Sequence, residues 1–252
     1  MEPPGAEATK WISTCGDGLH RSVALHHAAL WGRPGLVVDD PRRPSSVVWL
    51  REGDGQWEAF AAGLAETALD WLAAEARGRV VALAAPASWE DAVRARAGAG
   101  RIEVGSVQTW LRRGPPGRRV AAVATRRLVA ADAAAFAAEA PSWATRAWGD
   151  FAGLIERGAA FGVPAGRGFA ALAWVFESDH HSDKIGVATV PRFRRLGLGR
   201  AAASALADHV ERDRRKHPLW TTHADHVASI ALARSLGFSR HVSEPLLRWT
   251  PQ

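Results

Sequence analysis

The chain has 252 residues, 47% of them hydrophobic and 23% charged, with a formal net charge of +6; that is enough to bury one large core or two small ones and too apolar for global disorder. A lone cysteine, Cys15, excludes an internal disulfide and a thiolate metal cluster. No apolar run approaches the ~20 residues that cross a bilayer, so a cytoplasmic protein that does not span a membrane is expected, its basic charge being compatible with nucleic acid, a membrane surface or an anionic small molecule, of which only the last is expected as a partner.

In chain order, Ser22 to Trp31 reads as a short amphipathic helix closed by Gly32. Its His26 and His27 are adjacent and so point in different directions, a poor metal pair. Gly35 to Asp39 and Ser46 to Arg51 read as strands, and Glu52 to Gln56 as a hairpin connection into Trp57 to Ala62. Ala65 to Ala76 is predicted helical, Val80 to Ala85 a strand, Ser88 to Ala97 a helix capped by Ser88, and Ile102 to Leu111 a strand. This is a small α/β domain over residues 1–113, without a repeated motif or a catalytic constellation, and it is expected to help shape an acceptor pocket. Arg112-Arg113-Gly114-Pro115-Pro116-Gly117-Arg118 is the clearest linker.

The second domain is placed at 118–252. Arg119 to Leu128 alternates like a strand, Ala131 to Phe136 and Trp143 to Gly158 read as helices, and Ala159 to Pro164 with Phe169 to Phe176 as a hairpin. Asp179 to Asp183, which includes His180 and His181, turns the chain into an apolar strand, Ile185 to Val190. Pro191 ends that strand, and a basic, glycine-containing turn then runs into an alanine-rich helix. A helix start offers unpaired N–H groups and a partial positive charge, hence an anion site. Gly197 and Gly199 permit close backbone approach, while Arg192, Arg194, Arg195 and Arg200 add guanidinium groups that fork onto phosphate. The turn reads as a diphosphate cradle, lacking the Lys-Ser/Thr of a P-loop and the glycine spacing of a dinucleotide-binding turn.

Arg194-Arg195-Leu196-Gly197-Leu198-Gly199, after Val190-Pro191, resembles the acetyl-CoA signature of the GNAT superfamily of N-acetyltransferases, Arg/Gln-x-x-Gly-x-Gly/Ala. A second block supports it: a strand at Leu219-Trp220-Thr221-Thr222, then Ala228 to Phe238, similar to the family's next helix with its Leu-Gly-Phe close. The resemblance implies an α/β (α+β) fold, with a mixed, mostly antiparallel, splayed sheet in the C-terminal domain. It implies acetyl-CoA as cofactor, bound by Ala188, Thr189, Val190, Arg194, Arg195, Leu196, Gly197, Leu198, Gly199, Arg200 and His226, the last standing where relatives usually carry Asn. The Val190 N–H matches the oxyanion donor.

For the general base, the candidates are Glu177, near the end of the strand before the turn, and Asp183, with deprotonation through water as the bland alternative. The family's acid is a Tyr; this chain has none, and Ala233 stands at the matching position. Ser229 is the hydroxyl available on that helix, either as acid or as a helix-start residue satisfying backbone groups. His223-Ala224-Asp225-His226 has no supporting third ligand and is not taken as a metal site. The expected activity is transfer of an acetyl group to a primary amine of a small molecule or peptide. Its rivals are a catalytically degenerate acyl-CoA-binding module and a nucleic-acid binder, the latter unsupported by any basic stripe with interleaved aromatics.

Overall fold

The computed structural model describes residues 1–14, 19–53, 55–97, 102–114 and 123–251, apart from the side chain of Leu19. Cys15, Asp54 of the predicted hairpin and most of the 112–118 linker lie outside the described residues. The chain divides into two compact units: residues 1–109 with 242–252, and residues 110–241.

Unit 1 opens with α1 (Ala6–Ile12) and α2 (Leu19–Leu30), followed by β1 (Leu36–Val38), β2 (Ser46–Glu52), β3 (Trp57–Gly63), α3 (Ala65–Glu75), β4 (Val81–Ala84), a 3-10 turn (Ala87–Trp89), α4 (Glu90–Ala97) and β5 (Glu103–Arg112). The predicted cap at Ser88 is not made: Pro86 precedes the 3-10 turn, which has no side-chain cap, and Ser88 lies inside it. β1, β2 and β3 pair antiparallel, and β4 joins β3 in parallel. One face of the sheet packs Val48, Leu50, Ala59 and Ala61 against Leu69 and Leu72 of α3 and Trp89. Each of these larger side chains contributes roughly 1.5–3 kcal/mol by leaving water.

Unit 2 runs β6 (Arg126–Arg127), α5 (Ala133–Glu139), α6 (Phe151–Arg157), β7 (Ala160–Ala165), β8 (Gly168–Ser178), β9 (Ser182–Thr189), α7 (Leu198–Arg212), β10 (His217–His223) and α8 (Val227–Ser235). Its strand order is β10-β9-β8-β7-β6. Of the helix predicted from Trp143 to Gly158, only Phe151–Arg157 forms. Gly149 takes a left-handed φ of 92°, and Asp150 caps α6 by accepting from the Gly153 N–H at 2.7 Å, so the helix starts there.

The last strand, β11 (Phe238–Trp249), corrects the boundaries read from sequence. Residues 242–252 group with unit 1 rather than with the second domain, because Leu246 to Trp249 pair antiparallel with Ala84 to Val81 of β4. The first boundary likewise falls within β5, after Thr109.

Both units repeat one order of elements, although the sequence shows no repeated motif. Two helices precede three antiparallel strands, then come a helix, a parallel strand and another helix. The strand before the helices also recurs: Glu2 bridges Val38 of β1, as β6 pairs with β7.

Candidate active site

The site of unit 2 is built where two parallel strands part. β10 pairs with β9 from His217↔Ser182 to Trp220↔Ile185 and no further. β9 continues for four residues, Gly186 to Thr189, still paired to β8 but not to β10. The splay expected from sequence is therefore present.

Which groups face the opening follows from the alternation of an antiparallel ladder. The Val190 N–H donates to the Ala170 carbonyl of β8 at 3.0 Å, so Val190 and Ala188 direct their backbone groups toward β8. Thr189 and Val187 direct theirs the other way, into the opening. The oxyanion donor assigned to Val190 is thus corrected: that N–H is already committed to the sheet. Of the two residues facing the opening, Thr189 was expected from sequence and Val187 was not, since parity depends on register, which a single strand does not reveal.

At the far end of this edge the chain makes a 3-10 turn over Pro191–Phe193 and enters α7. Arg195 and Gly197 both adopt left-handed φ, 64° and 79°; the first is a conformation that costs a non-glycine residue energy. Gly197 is the N-cap of α7, and nothing lies within 4 Å of where its Cβ would be. Gly199 differs: it is buried, and a Cβ there would meet Thr189 Oγ1 at 2.5 Å, so it lets the helix start press against β9. Arg194, Arg195 and Leu196 are exposed, Leu198 and Arg200 half-buried. Arg194 Nε donates to the Thr189 carbonyl at 3.3 Å.

Across the opening stands the start of α8. His226 is its exposed N-cap residue, and half-buried Ser229 accepts a hydrogen bond from Trp220 Nε1 at 2.9 Å. That bond uses the oxygen of Ser229 as an acceptor and leaves its hydroxyl proton to be donated. Ala233 is fully buried. Leu196 and Val227, at the two helix starts, are 64% and 74% exposed, apolar surface suited to covering an apolar arm.

Both candidate carboxylates lie elsewhere. Glu177 is fully buried and takes a hydrogen bond from Lys184 Nζ, whose side chain is 3% exposed. It follows an irregularity in the β8–β9 register at Val175/Glu177. Asp183 is also fully buried, ion-paired to Arg214, with Lys216 Nζ at 3.5 Å and the Ser178 hydroxyl donating at 2.6 Å. Arg214 continues to the carbonyls of Arg157 and Gly158 at 3.1 and 3.2 Å, tying the end of α7 to the end of α6. These carboxylates are engaged by buried Lys184 and by half-buried Arg214 and Lys216, which corrects their candidacy as the general base. His180 and His181 are exposed on the turn held by Asp179, whose carboxylate accepts from the N–H groups of His181 and Ser182 at 2.8 and 2.6 Å.

The residues present fit a thioester carrier with a phosphate-bearing end. The first N–H groups of α7 and the guanidiniums of Arg194, Arg195 and Arg200 suit a diphosphate, and the edge at Val187 and Thr189 suits an amide-bearing arm added like a strand.

Residues 106–243 match the family model for GNAT acetyltransferases. The chain belongs to the GNAT acetyltransferase family. Three solved structures similar to this GNAT chain share its fold over 93% or more of its length. A GCN5-related N-acetyltransferase-like protein from Streptococcus suis is 18% identical, with a TM-score of 0.69 over 97% of this chain and 99% of its own. A tandem GNAT protein from the clavulanic acid biosynthesis pathway is 14% identical, with a TM-score of 0.65 over 99% and 96%. A GCN5-related N-acetyltransferase from Kribbella flavida is 17% identical, with a TM-score of 0.59 over 93% and 96%. No curated protein matches the chain. Among the described residues, no group of three or more His, Cys, Asp or Glu could hold a metal ion, and no helix is long and apolar enough to cross a membrane.

Proposed function

We propose that unit 2 is an acetyl-CoA-dependent N-acetyltransferase acting on a primary amine of a small molecule or peptide. The observation that carries this reading is the β9 edge left open beyond Ile185↔Trp220, with a basic helix start at its far end. Acetyl-CoA, when bound, supplies an activated acetyl thioester. The chain's own residues bind and orient: Arg194, Arg195, Arg200 and the first turn of α7 hold the diphosphate, and Val187 and Thr189 offer backbone groups to the arm. The N–H of either residue is a donor for a developing oxyanion, and Ser229 passes a proton to the departing thiolate and regains one from water. With Glu177 and Asp183 engaged by cations, the incoming ammonium gives its proton to water.

The test is thiol release from acetyl-CoA across a panel of amines, run beside Gly197→Trp, which would place a bulky side chain in the cradle. Amine-dependent release lost in the variant supports the reading; wild-type protein that binds no coenzyme A would end it. The rival reading, a degenerate carrier-binding module, is favoured by the burial of both carboxylates. It predicts tight coenzyme A binding with no turnover on any amine.

A further inference from the structure

The two units repeat one pairing pattern, and they treat its one vulnerable feature differently. In unit 1, β4 pairs with β3 from Trp57↔Val81 to Phe60↔Ala84, and β3 then runs on for three residues, Ala61 to Gly63. This is the same parting of parallel strands that β9 and β10 make in unit 2. The Leu64 N–H donates to the Ser45 carbonyl, beyond the start of β2, at 2.9 Å, so by alternation Gly63 and Ala61 direct their backbone groups into the opening. They stand where Thr189 and Val187 stand in unit 2.

Here both carbonyls are met by buried side chains, whereas in unit 2 the Thr189 carbonyl accepts from the exposed Arg194 at 3.3 Å. The Ala61 carbonyl accepts from Arg21 Nη1 at 3.3 Å, and the Gly63 carbonyl from Trp89 Nε1 at 2.9 Å. Trp89 is 1% and Arg21 5% exposed. Arg21 is held in turn by Glu244, its Nε lying 3.1 Å from Oε1, while Oε2 takes the His20 N–H at 2.9 Å. The phosphate end is missing as well. Between Gly63 and α3 stands one residue, Leu64, against the eight from Val190 to Gly197 in unit 2, and the first turn of α3 carries Glu66 rather than an arginine. A carboxylate at a helix start takes the place an anion would want.

We propose that unit 1 is a closed copy of the acetyltransferase core: Arg21, Glu244 and Trp89 fill its strand opening as an internal plug, and the chain takes one acyl carrier, in unit 2 alone. The single site rests on the function proposed above. The test uses the full chain and coenzyme A, with calorimetry for stoichiometry and hydrogen exchange for location. One coenzyme A per chain is expected, slowing exchange at least tenfold in peptides covering residues 187–200 and leaving those covering 59–66 unchanged. Protection at 59–66, or two coenzyme A per chain, would overturn the plug. An absence of heat and of protection in both segments would instead overturn the transferase reading, so the two failures are distinguishable.

Discussion

Unit 1 and unit 2 use the same order of helices and strands and the same mix of antiparallel and parallel pairing, yet they treat the open strand edge differently. The difference lies in two places. One is the turn after the third strand, Leu64 alone in unit 1 and Val190 to Gly197 in unit 2. The other is the strand edge beyond it, met by buried Arg21 and Trp89 in unit 1 and by exposed Arg194 in unit 2. The fold supplies a strand edge that must be satisfied; whether a side chain or a ligand satisfies it decides whether the unit has chemistry.

The largest expected effects fall on the side of the comparison that is open. Gly199→Val places a branched side chain against Thr189 Oγ1 and should weaken coenzyme A binding by about 100-fold, or ~2.7 kcal/mol, by calorimetry. Gly199→Ala should weaken it less, and adding Thr189→Ala, which removes the clashing oxygen, should restore part of the loss. Asp183→Ala tests the buried ion cluster: leaving Arg214 and Lys216 without their carboxylate should cost about 3–5 kcal/mol. A thermal melt should show this as a midpoint lower by roughly 10 °C. If Asp183 were the base instead, activity would vanish with the melt unchanged.

Trp89→Phe sharpens the comparison from the closed side. It keeps most of the packing but removes the donor to the Gly63 carbonyl, and should cost about 1–3 kcal/mol by leaving a buried acceptor unmet. Coenzyme A affinity should stay within about twofold, because the plug lies in unit 1. Ser229→Ala is smaller in stability, about 1 kcal/mol for the Trp220 bond; its kcat should fall with KM little changed, as loss of a proton donor demands.

The open site was more legible in the sequence than the closed one, for physical reasons. Arg194 to Gly199 is a local signal: a helix start, its glycines and its guanidiniums lie within a few residues, and the left-handed φ of Gly197 follows from glycine's freedom there. The direction of the Val190 N–H is not local, since it depends on how β9 registers against Ala170 twenty residues earlier. The partners of Asp183 are likewise remote, Arg214 lying 31 residues on. The repeat left no trace because pairing order needs only alternating apolar residues and turns, which unrelated side chains supply equally well. Residues 242–252 joined the wrong unit in the sequence reading because β4, their partner, lies more than 150 residues earlier.

The smallest predicted effect contrasts the turns that join the first two antiparallel strands of each unit. Unit 2 closes its hairpin with Gly166 and Arg167, whereas unit 1 spans residues 39–45 between β1 and β2. There Asp39 accepts from the Ser45 hydroxyl and from the N–H groups of Ser45 and Ser46 at 2.8 and 2.9 Å. Partial burial opposes the charge of Asp39, but these donors, the Ser45 hydroxyl foremost, outweigh it and hold the carboxyl below its usual range. A depressed folded-state value means that the stabilisation is fully present above the ordinary carboxylate range and is lost as pH falls through the lower, folded value. Exchange protection of the Ser45 and Ser46 amides should therefore persist at pH 5 and fail in more acidic solution. In Asp39→Asn it should be reduced at every pH and lose that dependence, while the Gly166–Arg167 turn of unit 2 behaves identically in both proteins. A wild-type profile for Ser45 and Ser46 as flat as that of the Asn variant would show that the Asp39 charge does not hold the turn.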